Sequence, residues 1–367
     1  MNPTPIFSPL RIANPSRLLL VAAGHVGNCI FCTPAIHWLR RALPHATIDV
    51  VVLNQACAAV FAGNDAISSV LVVRWRWQMT KLAGHYDHVV CLHPKSIALL
   101  AQVTVPMSVI PPFSSDQHHA EQILTFARAL AGGAVDNEDR RYRITPVSTA
   151  ASRLVGQARP LIGIHLGCGR TAIHGWKFFY RKRDAHPKLW PIEHYAELAK
   201  QLRNMFPDAQ FVLTGTRNER FLARRFSNII SDAIDLTGRT SVVELAGLIE
   251  QMDLFITHDC GVMHVAASTS TPLVALFGPT SPALTGPWPL AAHHRILQAE
   301  RMADITPQMA ARAATDLLQS SSVANKAAPA LDVVPVPNHW IAITVLWLQQ
   351  HDVFNSGYVA ALSAGLS

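Results

Sequence analysis

Residues 252–280 read MDLFITHDCGVMHVAASTSTPLVALFGPT, and the order of features in this stretch decides the fold. Leu254, Phe255, Ile256 and Thr257 form an apolar run suited to a buried strand. It empties into a polar turn, His258-Asp259-Cys260-Gly261. A small-residue helix follows, carrying His264, Ala266 and Ala267. A second apolar strand, Leu273 to Phe277, then ends at Gly278-Pro279-Thr280. Two buried parallel strands that open onto glycine-containing turns make a ligand crevice, because backbone N–H groups at a helix start attract anions. Asp259, His264 and Thr280 gather at that crevice. Taken alone, the stretch fits equally well a plain βαβ unit with polar loop residues and one satisfied histidine.

The same alternation extends in both directions. Leu18 to Ala22, Thr47 to Leu53 and His88 to Leu92 read as strands. The turn Gly24-His25-Val26-Gly27-Asn28 opens a helical run to Arg41, with Pro34 in or near its first turn. His119 to Leu130 has the helical spacing of apolar residues and stops at Gly132-Gly133. After Pro160 the pattern restarts. Leu161 to Leu166 is a strand, Glu193 to Met205 an amphipathic helix behind Trp190-Pro191, and Phe211 to Thr214 a strand closed by Gly215. Ser241 and Glu244 have the spacing of a capping box for a helix reaching Met252. Strands alternating with helices imply parallel sheets covered by helices. The expected fold is therefore α/β, with two Rossmann-like domains facing a central cleft. The segment 136–160 has charges and small residues but little apolar periodicity, so the boundary falls there. That gives an N-terminal domain over 1–150 and a C-terminal one over 151–335. Residues 336–367 are left as a final helix (His339 to Gln350) and tail. The Ala- and Ser-rich stretch 301–330 reads either as a helix or as a loose surface segment.

Composition narrows the partners. Half of the 367 residues are hydrophobic and 15% are charged, which describes a globular chain with large buried surfaces. A net charge of +7, from 31 Lys and Arg against 24 Asp and Glu, favours an anionic partner. Sugar nucleotides, phosphorylated glycans and acidic membrane surfaces all qualify. No run of aromatic and basic residues resembles a nucleic-acid platform, so nucleic acid is not expected. The six cysteines are scattered, as suits a reduced cytoplasmic protein. Cys29 and Cys32 form a lone C-x-x-C without the second pair that a zinc site needs, and packing at a helix start explains them better. No signal peptide is legible, and no segment reaches the roughly 20 apolar residues that span a bilayer. The expectation is a cytoplasmic chain whose basic surface allows peripheral contact with the inner face of the membrane.

Three blocks of the chain resemble glycosyltransferase family 9, the ADP-heptose:lipopolysaccharide heptosyltransferases. The first is V-A-A-G-H-V-G-N-C-I-F-C-T-P-A-I from Val21, continued by Leu39-Arg40. The second is Lys188-Leu189-Trp190-Pro191 with its helix, then Val212-Leu213-Thr214-Gly215. The third is the opening stretch, where HDCGVMHVA from His258 is similar to the family's N-D-x-G-x-x-H-x-A and is followed by Leu276-Phe277-Gly278-Pro279-Thr280. The resemblance implies a GT-B fold, with donor held mainly by the C-terminal domain and acceptor by the N-terminal one. It also implies inverting transfer of a heptose or related sugar from an ADP-activated donor, without metal or other cofactor. The implied acceptor is an anionic glycan or glycolipid such as the lipopolysaccharide core.

An inverting transfer is one displacement: a base takes the acceptor hydroxyl proton while the nucleotide diphosphate leaves with negative charge. By resemblance, Lys188 meets the donor phosphates. Gly27, Thr214, Gly215, Asp259, Cys260, Gly261, His264 and Thr280 line the donor site, and Glu219 is placed to bind ribose hydroxyls. A basic loop with Arg170, Lys177, Arg181, Lys182 and Arg183 either grips an anionic acceptor or is a solvated charge run. The main departure from the family is Asn28, where the usual block carries the Asp that is the candidate base. An amide cannot accept a proton at neutral pH. Three explanations stand: His25 is the base, another carboxylate such as Asp259 is, or the protein is a weak or inactive sugar-nucleotide binder. A nicotinamide oxidoreductase is disfavoured, because the first strand leads into G-H-V-G-N and not G-x-G-x-x-G.

Overall fold

The computed structural model describes residues 12, 15–22, 24–133, 136–149, 151, 152, 155, 156, 158–169, 171 and 186–324. Among the described residues, eleven strands alternate with helices. The first sheet holds β1 (Arg17–Val21), β2 (Thr47–Val52), β3 (Ser69–Val72), β4 (His88–Cys91) and β5 (Met107–Val109), in the order β3-β2-β1-β4-β5. The second holds β6 (Leu161–His165), β7 (Gln210–Thr214), β8 (Ile234–Asp235), β9 (Leu254–His258), β10 (Leu273–Phe277) and β11 (His294–Gln298), in the order β11-β10-β9-β6-β7-β8. Every pairing is parallel. The helices are α1 (Val26–Ala42), α2 (Gln55–Ala58), α3 (Arg76–Ala83), α4 (His119–Ala131), α5 (Ile192–Met205), α6 (Arg220–Ser227), α7 (Val242–Ile249), α8 (Gly261–Ala266), α9 (Pro282–Thr285) and α10 (Pro307–Ala324). This is the expected two-sheet α/β architecture of the GT-B fold.

Strands buried on both faces need apolar residues at successive positions, and β1 supplies them from Leu18 to Val21. Leu18 and Leu20 face one cluster, Leu19 and Val21 another. The second of these packs against Met79 and Leu82 of α3. A third cluster joins Ile162, Ile164 and Leu254 to α5, α6 and α10. The cluster that takes Leu18 and Leu20 is continuous between the two sheets, linking α1 and α4 to α7 and α8. Strand order reverses between β1 and β4 in one sheet and between β6 and β9 in the other. Loops diverge at such points and leave a crevice at the carboxyl ends of the strands.

Local details explain two boundaries. Pro34 is not in the first turn of α1 but inside the helix, which runs from Val26 to Ala42. Its missing N–H would strand the Ile30 carbonyl, and the Thr33 hydroxyl donates to that oxygen at 2.7 Å. The capping box of α7 forms as read: Ser241 N–H donates to Glu244 Oε2 at 2.7 Å, and Glu244 N–H to Ser241 Oγ at 3.4 Å. The segment 136–160 forms no strand among its described residues, and Val147 N–H donates to Val243 O at 3.1 Å. Residues 307–324 of the Ala- and Ser-rich stretch are helical, with Ala310, Ala314 and Leu317 buried. The expected helix at His339 to Gln350, and the whole of 336–367, lie outside the described residues.

Candidate active site

The crevice of the second sheet is built by three chain segments. β9 delivers Asp259 at its carboxyl end, β10 delivers Thr280 just beyond its own, and the loop before α5 delivers Lys188. Lys188 Nζ donates to Asp259 Oδ2 at 2.5 Å, and Thr280 Oγ1 donates to the same oxygen at 2.7 Å. Asp259 N–H in turn donates to Leu276 O at 3.1 Å, which fixes the turn to the neighbouring strand. The Asp259 side chain is 7% exposed and that of Lys188 is 33% exposed. A buried carboxylate therefore anchors the ammonium of a lysine whose side chain is partly open to solvent.

Beneath this trio lies a second polar layer. Tyr195 OH donates to His165 O at 3.3 Å and shares a hydrogen bond with His258 Nδ1 at 3.1 Å. His165 Nδ1 meets Thr214 Oγ1 at 3.2 Å, so Thr214 is buried under the site. Both Glu219 oxygens are engaged by the protein. Thr171 Oγ1 donates to Oε1 at 3.0 Å, and Thr216 N–H and Oγ1 donate to Oε2 at 2.6 and 2.9 Å. Glu219 is buried and ties together the turns after β6 and β7, with Gly215 packed against it. Cys260 starts α8, and its sulfur lies 3.4 Å from Thr257 Oγ1.

The turn after β1 faces α8. A Cβ on Gly27 would sit 3.1 Å from His264 Cδ2 and 3.4 Å from Gly261 Cα, and one on Gly261 would sit 3.3 Å from Gly27 N. Only glycines allow the two helix starts to come this close. Gly27, Gly261 and His264 thus meet where the sheets face each other. His264 is packed edge-on to Phe31, with centroids 4.6 Å apart, and to Tyr142 at 5.7 Å. Burial, aided by His118, Lys188 and His119, holds its imidazole down to about 3, so it is neutral. Its Nδ1 is buried without a hydrogen-bond partner. His25 occupies the N-cap position of α1 with an exposed side chain that makes no capping hydrogen bond, and Asn28 lies in the first turn.

Sequence reasoning passed over further residues on this side. His93 and Lys95 follow β4, while Phe113 and His119 follow β5. The Phe113 ring lies 4.3 Å from that of His119 and 5.0 Å from that of His93. The signal was positional: His93 and Lys95 follow the carboxyl end of β4, which adjoins β1, and Phe113 and His119 follow that of β5, the next strand out. Across the cleft, His118 Nε2 meets Gly286 O at 3.2 Å, and its ring stacks on Trp288 at 5.8 Å. Arg170, Lys177, Arg181, Lys182 and Arg183 lie outside the described residues. Among the described residues, no group of three or more His, Cys, Asp or Glu side chains is arranged to hold a metal ion.

Comparison with known proteins converges on one family. Residues 178–313 match the profile of Glycosyltransferase family 9 (heptosyltransferase). Lipopolysaccharide heptosyltransferase 2 of Salmonella typhimurium is 34% identical over 156 residues, and the match spans 37% of this chain and 44% of that protein. Lipopolysaccharide heptosyltransferase 3 of Escherichia coli is 42% identical over 303 residues, spanning 71% of this chain and 83% of that one. The structure of E. coli ADP-heptose lps heptosyltransferase II superposes with a TM-score of 0.65 at 21% identity, over 83% of this chain and 99% of that one, which bears on the fold. With the profile and a relative of this identity and coverage, the chain belongs to glycosyltransferase family 9.

Proposed function

We propose that the protein is an inverting glycosyltransferase that moves a heptose or related sugar from an ADP-sugar to an anionic lipopolysaccharide-core or similar glycan acceptor. The Lys188–Asp259–Thr280 constellation carries this reading. Lys188 meets the diphosphate, and the turn amides at Cys260 and Gly261 approach its oxygens. Asp259 holds Lys188 in place, and neutral His264 lines the passage toward the α1 turn. An acceptor hydroxyl attacks the anomeric carbon from the α1 side and loses its proton to a base there, for which His25 is the candidate. The bond to the diphosphate breaks as the new glycosidic bond forms, and ADP departs with the negative charge that Lys188 offsets. The site works in this account through its own cations and amides, without metal. The work is done at the cytoplasmic side, where the sugar nucleotide is available.

Asn28 favours a second reading, a nucleotide-sugar binder with little or no turnover, because an amide stands where the family carries its carboxylate. Titration calorimetry with ADP, UDP and NAD, each with and without Mg²⁺, tests the shared donor site. ADP should bind without metal, and Lys188→Ala should weaken it about thirtyfold, the loss of one charge-assisted hydrogen bond. Preference for UDP would overturn the donor assignment. Absence of all nucleotide binding would sink both readings.

A further inference from the structure

The first sheet carries a surface that the transfer chemistry does not use. Trp75 and Trp77 are 60% and 49% exposed and stand on the loop entering α3 and on its first turn. They are not residues that failed to find a core. Met79, Leu82 and Ala83 of the same helix are buried against the first sheet. Gln78 Oε1 accepts the N–H groups of Arg74 and Trp75, each at 3.0 Å, and so fixes the loop that presents the indoles. Lys81 Nζ lies 5.7 Å from the centroid of the Trp77 ring, and Arg74 and His85 are exposed nearby. From 66 to 86 the chain contains Arg74, Arg76, Lys81 and His85 but no Asp or Glu. The stretch is flanked by exposed Asp65 and Asp87, and Asp87 Oδ2 accepts the N–H groups of Ser16 and Arg17 at 2.8 and 2.9 Å.

We infer that α3 and its leading loop form a docking surface for an anionic phospholipid bilayer. Paired indoles flanked by cations suit the headgroup level of a membrane, where the ring is half-buried, its N–H stays wet and the basic groups meet lipid phosphates. The position is apt. α3 starts at the carboxyl end of β3, two strands or about 10 Å from β1 and on the same edge of the sheet as His25 and Lys95. A bilayer held there brings a membrane-borne glycolipid to the mouth of the cleft. In that purpose the inference rests on the proposed transfer reaction, whereas the docking itself does not.

Flotation of the full chain with vesicles of phosphatidylcholine, alone or mixed with phosphatidylglycerol, tests it. The protein should float with the mixed vesicles and be released by salt. Arg74→Gln with Lys81→Gln should weaken partitioning about twentyfold. Trp75→Ser with Trp77→Ser should abolish flotation even at low salt, with ADP binding unchanged. Three results would overturn the inference: no vesicle binding by the wild type, undiminished binding by the tryptophan variant, or a dimer that this variant converts to monomer. Tighter binding to an RNA oligonucleotide than to vesicles, lost in the same variants, would also overturn it. Loss of ADP binding with flotation intact would instead count against the proposed function alone.

Discussion

Asn28 is the residue on which the proposed transfer most depends. It lies in the first turn of α1, one residue after Gly27, whose close approach to Gly261 and His264 marks the meeting point of the two sheets. A carboxylate at this position would be kept ionised by the N-terminal end of a 17-residue helix and would be ready to accept a proton. A well-placed general base contributes about 10²- to 10⁴-fold to a rate. Asn28→Asp should therefore raise sugar transfer by about a hundredfold or more while leaving ADP affinity unchanged. If His25 serves as base in the native chain, His25→Gln should cost a similar factor there and little in the Asn28→Asp background. Single-turnover assays of the four proteins decide this. Equal rates in the native and His25→Gln chains would move the base elsewhere, and activity present only after Asn28→Asp would favour the binder.

At the scale of elements, α1 shows how a helix-breaking residue is accommodated in the wall of a site. Thr33 Oγ1 donates to Ile30 O and accepts Arg143 N–H at 3.0 Å, so one buried hydroxyl repairs the helix and pins the connection between the sheets. Thr33→Val leaves the buried Ile30 carbonyl and the part-buried Arg143 N–H without this partner and should lower stability by about 2 kcal/mol. Pro34→Ala in that background returns an N–H to Ile30 O and should recover about 1 kcal/mol. Urea denaturation of the single and double variants measures both, and a neutral Thr33→Val would refute the account. The apolar runs at β1, β2, β4, β6, β7, β9 and β10 were readable because central strands are buried on both faces. β3, β5, β8 and β11 were not, being short or edge strands such as His294–Gln298 with mixed polarity. Lys188, Asp259 and Thr280 were legible because each lies in a motif block. The pairing of Lys188 with Asp259, 71 positions apart, needed the fold. So did the inward use of Glu219 and Thr214, since nothing local distinguishes a carboxylate facing a ligand from one binding its own turn. The outward face of α3 escaped notice because α3 is only two turns long and its buried side shows just Met79, Leu82 and Ala83.

Across the whole molecule, several buried imidazoles are held neutral, two of them where the sheets meet. Burial is the leading cause in each case, lowering His93, His258 and His264 to about 3 and His118 and His294 to about 4 from an ordinary 6.5. His118 accepts Ala120 N–H at Nδ1, 3.1 Å away, so its Nε2 carries the hydrogen that is donated to Gly286 O across the cleft. Below pH 6.5 the unfolded chain takes up protons on these groups while the folded chain does not. Stability therefore falls with falling pH, and each group contributes about 1.4 kcal/mol per pH unit down to its folded value. The five together approach about 7 kcal/mol per unit, comparable with the entire stability of an ordinary domain at about 5–15 kcal/mol. The protein should be stable at neutral pH and lose stability steadily as pH falls below about 6.5, unfolding before these five imidazoles can charge in place. Ellipticity followed against pH at fixed ionic strength tests this, with His118→Phe and His264→Phe combined as the comparison. Removing two of these groups should move the midpoint to lower pH, provided that the phenyl rings fill the same space. A midpoint unmoved by the double substitution would show that proton uptake by His118 and His264 on unfolding does not drive the acid transition.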